Sequence, residues 1–144
     1  MPADKAAYRL EATVTRGAPD TLSTSVSVAW TFTSAHTSTP ERLPLTTARP
    51  TPALDGTNTA RAGRTMTIPV RLDQQAGSAA APGCTLGVAA SFDDGRTWTA
   101  LPVSHGVARI THPRRPGFVS LRLTATDTAG NTVTETIQRA YRIA

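Results

Sequence analysis

The sequence predicts an all-β fold, an antiparallel two-sheet sandwich, on three observations. Apolar residues recur at alternate positions in one run after another, the period of a strand with one buried face. Thr is very abundant, Val and Thr recur at alternate positions, and Glu, Lys and Met are sparse, a balance that favours extended backbone. Turn-forming residues punctuate the runs at short, regular intervals, and no stretch keeps a helical period over three turns.

Tyr8, Leu10, Ala12 and Val14 fall on one face of the first run, and Arg9, Glu11, Thr13 and Thr15 on the other. After the turn-rich residues 16–20, Val26, Val28, Trp30 and Phe32 point inward and Ser25, Ser27, Ala29 and Thr31 outward, so residues 7–34 predict a two-stranded hairpin. An isolated hairpin of this kind is not stable in water and must lie against another layer. Residues 35–63 carry Pro40, Pro44, Pro50 and Pro52, which favour extended backbone and confine any strand between Leu43 and Leu54 to a sheet edge. The organisational boundary is placed near residue 42. Residues 1–42 are then a hairpin segment and linker, open to being the end of a preceding domain, and residues 43–144 are the sandwich.

Met66, Ile68, Val70 and Leu72 mark the next strand, with Pro69 on its outward side, and a flexible loop is expected from Gln74 to Gly83. Cys84, Leu86, Val88, Ala90 and Phe92 form another apolar face, followed by a tight turn at Asp93-Asp94-Gly95 and a returning strand from Thr97 to Val103. Val107 to Thr111 is short and ends at His112-Pro113-Arg114-Arg115-Pro116-Gly117, a sequence that forbids regular structure. Val119, Leu121, Leu123 and Ala125 point inward, a hairpin loop follows at residues 127–131, and Val133, Ile137, Tyr141 and Ile143 mark a final strand. Six or seven short strands over about a hundred residues predict an immunoglobulin-like antiparallel β-sandwich with an N-terminal β-hairpin.

Composition excludes several classes of function. The net charge is +5 and all but one of the fifteen basic residues are Arg, but they are scattered from Arg9 to Arg142 without aromatic platforms beside them, so nucleic-acid binding is not expected. No apolar run is long enough to span a bilayer as a helix. Residues 1–5 lack the layout of a signal peptide, so an export signal is expected upstream. Cys84 is the only cysteine and is read as a small buried hydrophobe. His36, His105 and His112 are read as surface residues in loops, without the spacing of a zinc site or a general base.

Ser91-Phe92-Asp93-Asp94-Gly95-Arg96-Thr97-Trp98 fits the Ser-x-Asp-x-Gly-x-Thr-Trp pattern called the Asp-box. Asp93 is expected to accept backbone N–H groups of the turn, Gly95 to supply backbone freedom, and Trp98 to fold over the hairpin. Ser91, Asp93, Gly95, Thr97 and Trp98 are thus candidate structural residues, and Arg96 and Trp98 the candidate ligand contacts. Asp93, Asp94, Asp127 and Asn131 suggest calcium only weakly, since the spacing of a calcium loop is missing; no other cofactor is expected.

Tyr8-Arg9-Leu10, the Ser25–Ser34 run with Trp30-Thr31-Phe32, the Asp-box, and Pro116-Gly117-Phe118-Val119-Ser120-Leu121-Arg122 leading into Ala125-Thr126-Asp127-Thr128-Ala129-Gly130-Asn131 together resemble the C-terminal region of large secreted subtilisin-like serine peptidases of actinobacteria. The resemblance spans nearly the whole chain. None of that family's catalytic contexts, Asp-(Ser/Thr)-Gly, His-Gly-Thr-His or Gly-Thr-Ser-Met, occurs here, and Ser104-His105-Gly106 does not match them, so no catalytic residue carries over. The resemblance implies an extracellular location at the trailing end of an exported enzyme, with the upstream catalytic domain of the same polypeptide as partner and Ala144 as a natural C-terminus.

The leading expectation is a non-catalytic accessory region that stabilises, positions or regulates an attached peptidase. Its rival is a binding module in which Trp98, Trp30 or Tyr141 stacks on a polysaccharide, or the arginines hold an acidic polymer or protein. A third expectation is a protein-interaction or protease-inhibitory loop at residues 74–83. The surroundings of Trp98 discriminate: a flat exposed indole favours binding, and one packed over its own hairpin favours the structural role.

Overall fold

The computed structural model describes residues 2–78 and 83–144. The loop expected from Gln74 to Gly83 therefore falls in part on residues 79–82, outside the described residues. Among the described residues eleven strands follow in order: β1 (Ala6–Thr15), β2 (Ser25–Ser34), β3 (Thr46–Pro50), β4 (Thr59–Ala60), β5 (Thr65–Gln74), β6 (Thr85–Ser91), β7 (Thr99–Leu101), β8 (Val103–Ser104), β9 (Val107–Thr111), β10 (Gly117–Thr126) and β11 (Thr132–Ile143). No helix occurs among the described residues.

The strands form two sheets, one ordered β1-β2-β11-β10-β6-β7 with the short β4 parallel to the end of β11, the other ordered β3-β5-β9-β8. In immunoglobulin lettering the smaller sheet is A-B-E-D and the core of the larger one is G-F-C-C′, so the fold is the predicted sandwich. The chain crosses between sheets at Pro102. The strand expected from Thr97 to Val103 is split there into β7, which pairs with β6, and β8, which pairs with β9. Proline has no N–H for a continuing ladder, so it sits where one sheet is left for the other.

Alternation sets the core. Ile68 and Val70 of β5 and Ala108 and Ile110 of β9 face Val88 and Ala90 of β6, Val119, Leu121 and Leu123 of β10, and Tyr141 and Ile143 of β11. β3 is an edge strand, as expected of a strand that contains proline, and it ends at Pro50, opposite Val70. The β8–β9 turn is a two-residue loop in which His105 and Gly106 both have positive φ (51° and 75°), the geometry whose twist matches that of a hairpin.

The N-terminal hairpin is continuous with the sandwich. β2 pairs with β11 from Ser25 opposite Gln138 to Thr31 opposite Thr132, and β1 pairs with β2 outside it. Trp30 ties this extension to the second sheet by donating its indole N–H to the Thr46 carbonyl at 2.8 Å. Tyr8 stacks on the buried Phe32 at 5.8 Å between ring centres. The smaller sheet does not reach beneath β1, so Leu10 is left 42% and Val14 63% exposed.

His112 is a correction to the surface reading of the histidines. It is only 3% exposed, at the end of β9, because its even number keeps it on the face of Ala108 and Ile110. Its Nδ1 lies 3.2 Å from the Arg61 carbonyl and its Nε2 2.8 Å from the Tyr141 hydroxyl. A carbonyl can only accept, so Nδ1 carries the proton and Nε2 accepts from Tyr141 O–H. Burial favours this neutral form and lowers the imidazole pKa. The unfolded chain therefore takes up the proton first, so stability is complete above 6.5 and falls as the pH drops through the window beneath it. Tyr141→Phe, which strips Nε2 of its donor, is expected to cost about 1 kcal/mol in urea denaturation at neutral pH. His112→Gln is expected to flatten the stability loss below pH 6.5 while lowering stability at pH 7.

Candidate functional site

The residues singled out in the sequence gather in the turn between β6 and β7. Asp93 is its centre. Oδ1 accepts the Ser91 hydroxyl at 2.7 Å and the Thr97 N–H at 2.8 Å, and Oδ2 accepts the Thr97 hydroxyl at 2.6 Å. Ser91 Oγ in turn accepts the Gly95 N–H at 2.9 Å. These bonds, led by the two from Thr97, stabilise the carboxylate and pull its pKa down to about 2.

Gly95 adopts φ +86°, and a Cβ there would lie 2.8 Å from Gln138 Nε2 and 3.4 Å from the Trp98 ring. Glycine is thus required both by backbone and by space. Trp98 folds over the turn and donates its indole N–H to the Gly95 carbonyl at 3.1 Å. One face of the ring is covered by the Arg122 guanidinium, 4.1 Å from the ring centre. Of the two residues marked as ligand contacts, Arg96 is exposed on the turn, whereas Trp98 is half-buried and engaged on its edge and one face.

A group the sequence reading missed anchors this turn to the sheet. Leu121 opposes Ile137 and Val119 opposes Tyr141, so Gln138, Arg139 and Ala140 stand opposite Ser120 alone and β11 bulges. The buried Ser120 hydroxyl fills the gap, donating to Gln138 Oε1 at 3.0 Å and accepting the Arg139 N–H at 2.9 Å. Arg139 then forks onto Asp94, with Nε–Oδ1 at 2.8 Å and Nη2–Oδ2 at 2.9 Å. Both residues have positive φ, 52° and 57°. The bond from Arg139 holds the Asp94 carboxyl below its ordinary pKa. The carbonyls of Arg139 and Gln138 also receive the N–H groups of Ser23 and Thr24, so the β1–β2 loop docks on the same bulge. The available signal was Arg139 itself, a charge on the inward parity of Val133, Ile137 and Tyr141.

Two other loops repeat the carboxylate device. Asp127 Oδ1 accepts the N–H groups of Ala129 and Asn131, both at 2.9 Å, and its Oδ2 accepts the Asn131 amide at 2.8 Å. Asp55 Oδ1 accepts from Thr57 N–H at 2.8 Å and Thr59 N–H at 3.0 Å. Asp93 and Asp127, considered for calcium, thus aim their oxygens at donors of their own loops rather than at a shared centre. Among the described residues no three His, Cys, Asp or Glu side chains gather closely enough to hold a metal ion.

Ser104 Oγ and His105 Nδ1 meet at 2.9 Å, but as exposed sequence neighbours where β8 enters its two-residue turn. Cys84 is half-buried rather than fully buried, and burial, reinforced by the charge of Asp127, pushes its thiol pKa up, away from the reactive thiolate. Glu135, on the inward parity of β11, lines a shallow cleft of about 370 Å³ with Ala48, Arg49, Leu54, Leu121 and Ile137. Burial raises its pKa and the nearby Arg49 partly opposes this.

No protein-family profile matches the chain, and no curated protein or solved structure matches it significantly.

Two titration experiments test this description. The lowered pKa of Asp93 stabilises the fold above 3.8, and that stability is lost as the pH falls toward about 2. Asp93→Ala is therefore expected to lower the melting temperature at pH 7, with a deficit that shrinks between those two values. Glu135 has the opposite sign: its charged form is penalised, so stability falls as the pH rises from 4.5 through the raised pKa. Glu135→Gln is expected to melt higher than the parent at pH 7 and level with it at pH 4.

Proposed function

We propose that this chain is a non-catalytic accessory region of a secreted subtilisin-like serine peptidase, an immunoglobulin-like module that stabilises or positions the catalytic domain ahead of it. The observation that carries the structural role is the engagement of Trp98. Its N–H is bonded within the turn and its ring is capped by Arg122, so it serves as a staple for the β6–β7 hairpin rather than a flat platform for a sugar ring. Ser91, Asp93, Gly95, Thr97 and Trp98, the positions that the Asp-box pattern names, each take part in the bonding or packing of the turn. Support for the peptidase partner comes from the order and spacing of the motifs that resemble the trailing region of those enzymes, and an extracellular location follows from that resemblance.

The experiment is to label the culture medium and the cells of the producing organism with a fluorophosphonate that marks active serine hydrolases. Peptides of this chain are expected in a labelled band from the medium that is larger than the chain alone. Recovery of the chain only in an unlabelled intracellular band would overturn the reading. So would serine-inhibitor-sensitive hydrolysis of casein by the purified 144-residue chain, since the region is assigned no chemistry of its own.

A further inference from the structure

We propose that the outer edge of β1 pairs with the β1 edge of a second copy of this chain, antiparallel and centred on Leu10, so that the larger sheet runs on through a two-fold axis. β1 is the terminal strand of that sheet. The other sheet edges are short or blocked: β7 has three residues and stops at Pro102, β8 has two, and β3 has five and ends in Pro50. β1 has ten residues without proline or glycine. Long unblocked edges are what natural sheets otherwise avoid.

The backbone fixes which residues face outward. The Arg16 N–H donates to the Thr24 carbonyl, which extends the register that sets Thr15 opposite Ser25. Arg16 and its even-numbered neighbours on β1 therefore turn their backbone groups toward β2. Ala7, Arg9, Glu11, Thr13 and Thr15 turn theirs to the open edge. A second β1 must pair odd residues with odd residues, which leaves three central registers. Centred on Arg9, the pairing sets arginine against arginine, and centred on Glu11, glutamate against glutamate. Centred on Leu10, it sets Arg9 against the Glu11 of the second copy, and Glu11 against its Arg9.

Only the last register satisfies both charges, and it does so twice by symmetry. Arg9 and Glu11 already contact each other within the strand, Nε to Oε1 at 2.6 Å, and lie about equally exposed, so the dimer would join two such pairs into a four-membered alternating cluster. On the opposite face the same register puts the exposed Leu10 against its own copy at a position without backbone hydrogen bonds, where side chains approach closest.

Sedimentation equilibrium of the full chain at low salt, from micromolar to millimolar concentration, is expected to show a reversible monomer–dimer equilibrium. Arg9→Glu and Glu11→Arg, each at an exposed site, are each expected to weaken the dimer about tenfold by setting like charges opposite. The double variant R9E/E11R is expected to restore it. In a Cys84→Ser background, Leu10→Cys is expected to oxidise to a disulfide-linked dimer, and Arg9→Cys, which opposes residue 11 rather than itself, to remain uncoupled. A chain that stays monomeric, a dimer indifferent to the charge reversals, a double variant that fails to recover, or gain of mass only when an unrelated extended peptide is added would each overturn the proposal.

Discussion

A strand that must leave its neighbour's register and return to it needs something to fill the gap, and in this protein the Ser120 hydroxyl does so. It accepts from Arg139 and donates to Gln138, and with that one side chain in place the bulge of β11 is held open. Three separate pieces of chain then depend on the bulge. The β6–β7 turn is gripped through Asp94 and Arg139, the β1–β2 loop hangs its N–H groups on the carbonyls of Gln138 and Arg139, and Tyr141 beyond the bulge is brought to His112. Without the bulge, Arg139 would project inward at its parity position and carry an unpaired charge into the core, which is far costlier than the local backbone strain of its one positive φ angle.

The loops solve a shared problem by one chemistry. A tight turn leaves backbone N–H groups without strand partners, and an unpaired buried N–H is expensive. At Asp55, Asp93 and Asp127 a carboxylate gathers the N–H groups that follow it in the loop. This makes the loop ends rigid through local hydrogen bonds rather than through apolar packing, which suits a chain with few aromatic residues and one cysteine.

The strands were legible because the core is one-sided. Val119, Leu121, Leu123 and Ala125 are buried as their alternation requires, and Ile68 and Val70 likewise. Alternation says which residues share a face, however, and is silent on whether a second layer lies under that face. Leu10 and Val14 share a face with Tyr8 and yet remain exposed, because the smaller sheet ends short of β1. The bulge at Gln138–Ala140 was hidden for a related reason: two inserted residues restore the parity of period two, so Val133, Ile137, Tyr141 and Ile143 read as one unbroken strand. His112 was misplaced because the proline-rich sequence after it reads as a loop, although the residue itself still belongs to the parity of β9. The turn from Ser91 to Trp98 was legible in detail, since each of its internal bonds spans four residues or fewer, whereas its partners Arg122 and Arg139 are distant in sequence and nothing within the turn points to them.

The pairing of β2 with β11 joins the beginning of the chain to its end; Thr31 and Thr132 meet across 101 residues. A ribosome delivers these segments in order, so β2 is made about a hundred residues before the strand that pairs with it. Pairing over such a separation carries a large closure entropy and is slow. The nascent chain consequently presents the Trp30 and Phe32 face without its β11 neighbour until β11 has been made. The interval between the making of β2 and the making of β11 is therefore one in which an unpaired strand edge is open to aggregation and proteolysis.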